Sequence, residues 1–179
     1  MIVKNEEKNL GGILSDIHDV MDEICIVDTG SSDRTIPLAE SFGARIEHFP
    51  WRDDFSAARN HSLGCAHSDY LIWLDADDRI DENDREALRI LKLHLRPEKD
   101  KAYMLKILGR SDDMPDTVSY QTRIIPNRNG VCFEGRVHEQ ILPSLKRSAI
   151  EVEPVDIAIR HTGYHDRDVR MAKSRRNLE

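Results

Sequence analysis

The stretch of sequence that decides the fold is Tyr70-Leu71-Ile72-Trp73-Leu74-Asp75-Ala76-Asp77-Asp78. The apolar run predicts a buried strand, and three carboxylates follow within four residues. In an α/β fold the carboxyl ends of parallel strands border the crevice in which ligands bind. Carboxylate oxygens suit Mg²⁺ or Mn²⁺, which commonly bridge proteins to nucleotide phosphates. The alternative is an acidic turn in which Asp78 or Asp81 caps the next helix.

Before this stretch the sequence alternates between helical and strand patterns. The predicted elements are a strand stub at Met1-Ile2-Val3, a helix over about 7–22, a strand at 23–28, a helix from Ser32 or Asp33 to Gly43, a strand at 45–49, a helix capped by Asp54, and a strand at 70–74. Such alternation implies a parallel sheet with helices on both faces.

After residue 80 the sequence changes from alternating strand and helix patterns to mostly strand patterns. A helix capped by Asp81 and closed by Pro97 is followed by predicted strands at 102–108, 119–125, 131–133 and 155–160, then by a basic helix at Asp166–Asn177. Residues 109–119 and 142–149 are predicted to be irregular.

We expect a single domain over 1–179, with a ligand-binding half at 1–100, a strand-rich half at 101–165 and a helix at 166–179. Because the first strand is short and the last helical pattern stops at Glu179, we expect both ends to be cut.

Composition excludes several classes of protein. The 179 residues carry a net charge of −7, whereas a general nucleic-acid binder shows a basic face, so no nucleic-acid partner is expected. Cys25, Cys65 and Cys132 are odd in number and widely spaced, which predicts reduced, buried thiols of a cytoplasmic protein. No apolar stretch approaches the roughly 20 residues of a membrane span.

Two aspartates far apart in sequence are expected to meet. Asp28 and Asp75 each end a predicted parallel strand, and the ends of such strands share one crevice. Asp28 could accept hydrogen bonds from a base or ribose, while the Asp75 cluster holds a metal. The alternative for Asp28 is that its carboxylate closes the Gly30 turn through the local backbone.

Three further segments carry groups suited to chemistry. Arg59, on an otherwise apolar helix face, needs a partner, either a ligand or a structural carboxylate. His138 and Glu139 lie in a loop with Gly135, and each is a candidate general base. His161 ends the last predicted strand, where a neutral imidazole could complete a metal shell with Asp75 and Asp77.

Six segments together resemble a known family. They are Ile2-Val3-Lys4-Asn5-Glu6-Glu7, residues 26–35, residues 51–60, Leu74-Asp75-Ala76-Asp77-Asp78, residues 133–139 and His161-Thr162-Gly163-Tyr164. In this order they resemble the family 2 glycosyltransferases of glycosyltransferase A fold. The closer resemblance is to the bacterial and archaeal subgroup whose catalytic domain often precedes tetratricopeptide repeats, which includes peptide S-glycosyltransferases and lipopolysaccharide-core sugar transferases.

The resemblance implies an α/β fold with a Rossmann-like, mostly parallel sheet flanked by helices and a strand-rich acceptor half. It implies inverting transfer from a nucleotide-diphosphate sugar, most simply a UDP-sugar, to a saccharide, lipid-linked or peptide acceptor at the inner face of the membrane, with peripheral membrane contact as an option. The donor-binding residues it implies are Ile2, Val3, Asn5, Glu6, Asp28, Arg59, Asp75 and Ala76. Asp75, Asp77 and His161 would bind Mn²⁺ or Mg²⁺, and Glu139, with His138 beside it, would be the base.

Two other functions fit parts of the pattern. A sugar-1-phosphate nucleotidyltransferase shares the strand order and acidic metal site, but opens on a glycine-rich phosphate loop where this chain has Lys4-Asn5-Glu6-Glu7. A non-catalytic binding or docking module would not require Asp77 and His161 to approach each other. Their separation therefore discriminates between an enzyme and a docking module.

One departure from the family is the first strand, which is longer in the family than the three residues present here.

Overall fold

The computed structural model describes residues 1–95, 100–111 and 114–162, and these form two sheets surrounded by helices. The strands are Ile2–Val3 (β1), Cys25–Asp28 (β2), Arg45–His48 (β3), Tyr70–Ile72 (β4), Asp78–Arg79 (β5), Lys101–Ser111 (β6), Met114–Pro126 (β7) and Glu151–His161 (β8). The helices are Leu10–Ile17 (α1), Thr35–Ser41 (α2), Phe55–Cys65 (α3), Glu82–His94 (α4) and Leu142–Arg147 (α5).

The first sheet is parallel, with the strand order β1-β2-β3. Its register pairs Val3 with Asp28 and Asp28 with His48, so Asp28 lies at the carboxyl edge of the sheet as predicted. Helix α1 is shorter than the predicted 7–22, and its apolar face is fully buried through Leu10, Ile13 and Leu14. This burial fixes the helix against the strands, because each such side chain contributes roughly 1.5–3 kcal/mol.

The second sheet has the order β4-β7-β6-β8-β5 and is largely antiparallel. The expectation that residues 70–74 continue the parallel sheet is wrong, because β4 pairs antiparallel with β7. β4 pairs with β7 through Tyr70, Leu71 and Ile72, and β1, β2 and β3 form a separate sheet. Strand β5 pairs antiparallel with β8, with Asp78 opposite His161. This pairing joins the acidic loop to the last strand.

Both predicted helix caps on the site side are confirmed. The Asp54 side chain accepts a hydrogen bond from the Ala57 N–H at 2.9 Å, and the Asp81 side chain accepts one from the Asp84 N–H at 3.1 Å. Each carboxylate satisfies a backbone donor that the first turn of a helix leaves open. Asp81 therefore caps α4, so Asp78 is not the helix cap and has a different role.

Several predicted elements differ in the structure. Residues 131–133 do not form a strand, and nearby backbone pairing is limited to a bridge between Glu134 and Gln140. Residues 142–149 contain α5, which has Pro143 in its first turn, where the missing N–H is not needed. Residues 109–111 and 114–119 belong to the ends of β6 and β7 rather than to an irregular loop. The predicted helix at 166–179, together with Gly163 and Tyr164, lies outside the described residues.

The three cysteines are free, as predicted, but each is half-buried rather than buried. Among the described residues, none of the helices combines the length and apolar character needed to cross a membrane.

Glu23 ties two loops together, and its substitution should weaken the fold in a pH-dependent way. Burial alone would raise the pKa of Glu23, but hydrogen bonds from the backbone N–H groups of His67 and Ser68 lower that pKa to about 2. Because the folded pKa lies below the unfolded value of 4.5, the stabilisation is present above pH 4.5 and is lost as the pH falls toward 2. Glu23→Gln should lower the unfolding free energy by about 1–2 kcal/mol near neutral pH, discounted for partial exposure.

Urea denaturation at neutral pH and near pH 4 measures this effect. The difference between wild type and Glu23→Gln should shrink at the lower pH. Glu40→Gln, at an exposed position on α2, is the control and should be nearly neutral at both values. A difference of the same size at both pH values would contradict the assigned pKa shift.

Candidate functional site

A cleft of about 270 Å³ opens where the first sheet meets the acidic loop. It is lined by Ile2, Val3, Lys4, Glu6, Thr29, Trp51, Phe55, Arg59, Asp75, Ala76, Asp77 and His161. Eight predicted site residues are in this lining, from four separate segments of the chain. A larger, more apolar cavity of about 460 Å³ lies between β2, β4 and α4, and its lining includes none of the residues Asp75 to Asp78.

The acidic loop is fixed by hydrogen bonds at both ends. The Asp75 N–H donates to Asp78 Oδ2 at 2.8 Å, and the Asp78 N–H donates to the Asp75 carbonyl at 3.1 Å. The Asp77 carbonyl accepts from the Thr162 N–H at 2.9 Å and from the Thr162 hydroxyl at 2.8 Å. The backbone of the loop is therefore held independently of any ligand.

His161 lies among the carboxylates of this loop. Its Nδ1 is 2.9 Å from Asp78 Oδ1 and 3.5 Å from Asp77 Oδ1. Burial lowers the pKa of His161, but the hydrogen bond to Asp78 and the charge of Asp77 outweigh it and raise this pKa. Since a carboxylate can only accept, Nδ1 carries a proton, and the neutral ring keeps its lone pair on Nε2.

Ligand atoms of Asp75, Asp78 and His161 all lie within 4.8 Å of one another. Sequence reasoning missed Asp78 as a site residue and treated it only as a possible helix cap. The sequence could have indicated this role, because Asp78 directly follows Asp75-Ala76-Asp77 and because Asp81 was available as the helix cap. Carboxylate and imidazole donors in a cleft match the chemistry of a divalent-cation site.

Asp75 lies between two arginines. Arg59 Nη2 donates to Asp75 Oδ1 at 3.0 Å, and Arg123 lies 3.4 Å from Asp75 Oδ2. Burial would raise the pKa of Asp75, but the charges of Arg59 and Arg123 hold it well below its usual range. Asp75 is therefore ionised at any working pH.

Arg123 is the second site residue that sequence reasoning missed. Its side chain is only 2% exposed, and Nη1 lies 3.3 Å from Asp78 Oδ2, whose residue is fully buried. The guanidinium also lies 3.8 Å from the centre of the Trp73 ring, a cation–π contact. Its only signal in the sequence was a single cation inside the apolar pattern of β7.

The predicted base is joined to the acidic loop through Arg59. Arg59 Nε donates to Glu139 Oε1 at 2.7 Å while Nη2 holds Asp75, so one guanidinium links the two carboxylates. The loop carrying Glu139 is attached to α3 by hydrogen bonds from the Ser56 hydroxyl to the Gly135 carbonyl and from the Phe55 N–H to the Arg136 carbonyl.

The second candidate base has a different environment. His138 is exposed and has a positive φ of 57°, and neither His138 nor Glu139 is in the lining of the cleft. Glu139 is linked to Asp75 through Arg59, whereas no such link is observed for His138 among the described residues.

Asn5 and Asp28 organise the opposite wall of the cleft. The Asp28 carboxylate accepts from the Gly30 N–H at 3.0 Å and the Ser31 N–H at 3.1 Å, which is the turn-closing alternative considered above. Asn5 Oδ1 accepts from the Ser32 N–H at 2.8 Å. Both side chains stabilise the turn beside the cleft, and their contact with a nucleoside stays a prediction.

Comparison with known proteins identifies the family. Residues 1–104, more than half of the chain, match the family described as glycosyl transferase family 2. The chain belongs to this family. The resemblance seen in the six sequence segments is thereby confirmed.

Two curated relatives show how the match extends along the chain. A TPR repeat-containing protein of Synechococcus elongatus is 34% identical over 173 residues, which cover 92% of this chain and 41% of that protein. The SPbeta prophage-derived glycosyltransferase SunS of Bacillus subtilis is 27% identical over 99% of this chain and 42% of its own length. The chain thus spans about two fifths of the length of these relatives.

Solved structures confirm the expected glycosyltransferase A fold. TarS 1–349 of Staphylococcus aureus, in complex with UDP-GlcNAc, has a TM-score of 0.67 and 17% identity, covering 94% of this chain and 59% of that one. Glucosyl-3-phosphoglycerate synthase of Mycobacterium tuberculosis, in complex with Mn²⁺ and UDP-glucose, has a TM-score of 0.64 and 17% identity, covering 97% of this chain and 73% of that one.

Removal of Arg123 should destabilise the protein strongly. Arg123→Met would leave Asp75 and Asp78 buried without their shared cation, and breaking a buried pair costs about 3–5 kcal/mol. Urea denaturation should show this loss as a lower midpoint. Arg147→Met is the matched control, because the Arg147–Glu134 pair is exposed and should be nearly neutral. Equal stability of the two variants would show that Arg123 does not hold the acidic loop.

Proposed function

We propose that this chain is the donor-binding and catalytic part of an inverting glycosyltransferase that uses a UDP-sugar. The observation that carries the proposal is the meeting of Asp77 and His161 beside a cleft, where their side chains approach to 3.5 Å. The neighbouring hydrogen bond between Asp77 and Thr162 joins residues 85 positions apart in sequence. A docking module would not need this convergence. Family membership and two relatives of the same fold bound to UDP-sugars support the same function.

The donor is proposed to occupy the 270 Å³ cleft. Its nucleoside would lie against Ile2 and Val3, beside the turn that Asn5 and Asp28 stabilise. Its diphosphate would lie near Ala76, with Glu6 and Arg59 in the same lining. A diphosphate is strongly anionic, so an acidic cleft of this kind would need a cation to accept it.

The cation is proposed to be Mn²⁺ or Mg²⁺, held by Asp75, Asp77 and His161. The donor set fits, because ligand atoms of Asp75, Asp78 and His161 lie within 4.8 Å of one another and the buried Asp77 carboxylate lies 3.5 Å from His161 Nδ1. When bound, the ion would supply Lewis-acid stabilisation of charge on the departing diphosphate. Asp78 would orient the His161 ring through Nδ1, a role common for carboxylates behind metal-binding histidines.

Glu139 is proposed to remove the proton from the acceptor. Its carboxylate would accept the proton of the attacking hydroxyl or thiol as the acceptor atom forms a bond to the anomeric carbon. The bond from that carbon to the diphosphate oxygen breaks, and its electron pair leaves with the nucleoside diphosphate. Because attack and departure occur on opposite faces, the configuration inverts. The hydrogen bond from Arg59 Nε orients Glu139 toward the acidic loop.

The acceptor is proposed to be a saccharide, a lipid-linked saccharide or a peptide. Exposed apolar side chains of the strand-rich half, Val118, Tyr120 and Leu142, offer contact area for it. We place the reaction in the cytoplasm, where nucleotide sugars are the donors, with the inner face of the membrane as the site for a lipid-linked acceptor.

Loss of Asp77 should abolish cation-dependent donor binding. In calorimetry with UDP and Mn²⁺, Asp77→Ala should weaken the affinity by at least about tenfold, because a ligand to the ion is removed. UDP binding without a cation should be little changed. Glu86→Gln, an exposed carboxylate on α4, is the control and should bind like wild type. Unchanged Mn²⁺-dependent affinity in Asp77→Ala would refute this ligand assignment.

Loss of Glu139 as a base should separate donor binding from transfer. Glu139→Gln keeps a side chain that can accept the Arg59 hydrogen bond but cannot take a proton. UDP affinity should therefore stay near wild type, while the transfer rate falls by about 10²–10⁴. The matched variant is His138→Asn at the neighbouring position, which should retain most of the turnover. Full turnover in Glu139→Gln, or its loss in His138→Asn, would assign the base differently.

A further inference from the structure

A second group of metal-ligating side chains lies outside the cleft, between α3 and the first sheet. It consists of Glu47 on β3 and of His61 and Cys65 on α3. One ligand atom from each lies within 4.8 Å of the others. His61 and Cys65 are four residues apart, so the helix presents both on one face. An oxygen, a nitrogen and a sulfur donor therefore meet at a single point.

A second thiol adjoins this group. Strand β2 lies next to β3, with Cys25 opposite Arg45, and the Cys25 thiol lies close to the Cys65 thiol. Burial raises the pKa of Cys25 to about 11, so this residue is a neutral thiol beside the group. A metal ion binds cysteine as the thiolate, so metal binding at the group would release a proton.

We propose that Glu47, His61 and Cys65 form a metal site that takes Zn²⁺, with a water as the fourth ligand, and that this site is separate from the carboxylates of the cleft. Zn²⁺ prefers four ligands in tetrahedral geometry and accepts sulfur, nitrogen and oxygen donors. Ligand atoms of one tetrahedral Zn²⁺ are about 3.5 Å apart, given bonds of about 2.0–2.3 Å. The observed separations thus require a contraction of roughly 1 Å, which side-chain rotation on half-buried residues supplies.

Charge balance favours the same ion. One thiolate, one carboxylate and a neutral imidazole around a divalent ion leave no net charge. Arg45 holds two of the ligand residues in place, because Nη1 lies 2.7 Å from Glu47 Oε1 and Nη2 donates to the Cys65 carbonyl. The second Glu47 oxygen remains for the ion. The His61 ring packs against Phe49 with centroids 5.2 Å apart, which limits its rotation.

Such a site would tie α3 to β3. Helix α3 carries Arg59, and β3 pairs with β2, which carries Asp28, so the ion would stabilise the wall between the two halves of the cleft. This inference does not rest on the proposed transfer reaction. Its test uses neither a donor nor an acceptor.

Co²⁺ is the probe, because thiolate ligation gives it an intense charge-transfer band in the near ultraviolet that carboxylate and imidazole ligands do not give. The purified protein, treated with a chelator and kept under a non-thiol reductant, should develop this band on titration with Co²⁺, and Zn²⁺ should displace it. Cys65→Ala should lose the band. Cys132→Ala is the matched control and should keep it, since Cys132 is equally half-buried but lies elsewhere in the fold.

Two further measurements keep the test independent of folding defects. His61→Asn, at an accessible position on α3, should weaken Zn²⁺ binding by at least about tenfold while the apo protein melts like wild type. Zn²⁺ should raise the melting temperature of wild type and Cys132→Ala but not of Cys65→Ala. Absence of the charge-transfer band in wild type, or its persistence in Cys65→Ala, would overturn the proposal whatever the transfer activity proves to be.

Discussion

The fully buried carboxylate of Asp78 is the constraint on which the rest of the site depends. A charge without solvent contact must be paired and hydrogen-bonded, or it strongly destabilises the fold. Asp78 meets this requirement through the Asp75 N–H, His161 Nδ1 and Arg123. These three partners come from the acidic loop, from β8 and from β7. One side chain thus joins the loop after β4 to β7 and β8, the two strands that flank β6 in the second sheet.

From Asp78 a chain of alternating charges runs across the cleft. Arg123 joins Asp78 to Asp75, and Arg59 joins Asp75 to Glu139. Because each charge has an opposite neighbour, the acidic groups are held close together without mutual repulsion. Such preorganised charges act on a ligand without first rearranging, which is the main electrostatic advantage of an enzyme site over water. The arrangement also explains why Arg59 tolerates burial on α3.

The cleft residues fall into two groups by how they are held. Asp75, Asp77 and His161 are fixed by contacts between remote segments, whereas Asp28 is fixed by its own turn. Local hydrogen bonds form in any chain that contains the same short sequence. The turn after Asp28 is therefore partly a local product, completed by Asn5 from a remote segment, and the acidic edge is a product of the whole fold.

The sequence by itself determined the features that depend on neighbouring residues. Capping by Asp54 and Asp81, the apolar face of α1 and the strand before Asp75 follow from spacing and from backbone donors that must be satisfied. Sheet membership, the pairing of Asp78 with His161 and the burial of Arg123 were decided only by tertiary structure. Their physical reason is that strand pairing and the partners of a buried charge involve segments remote in sequence, which only the folded chain brings together.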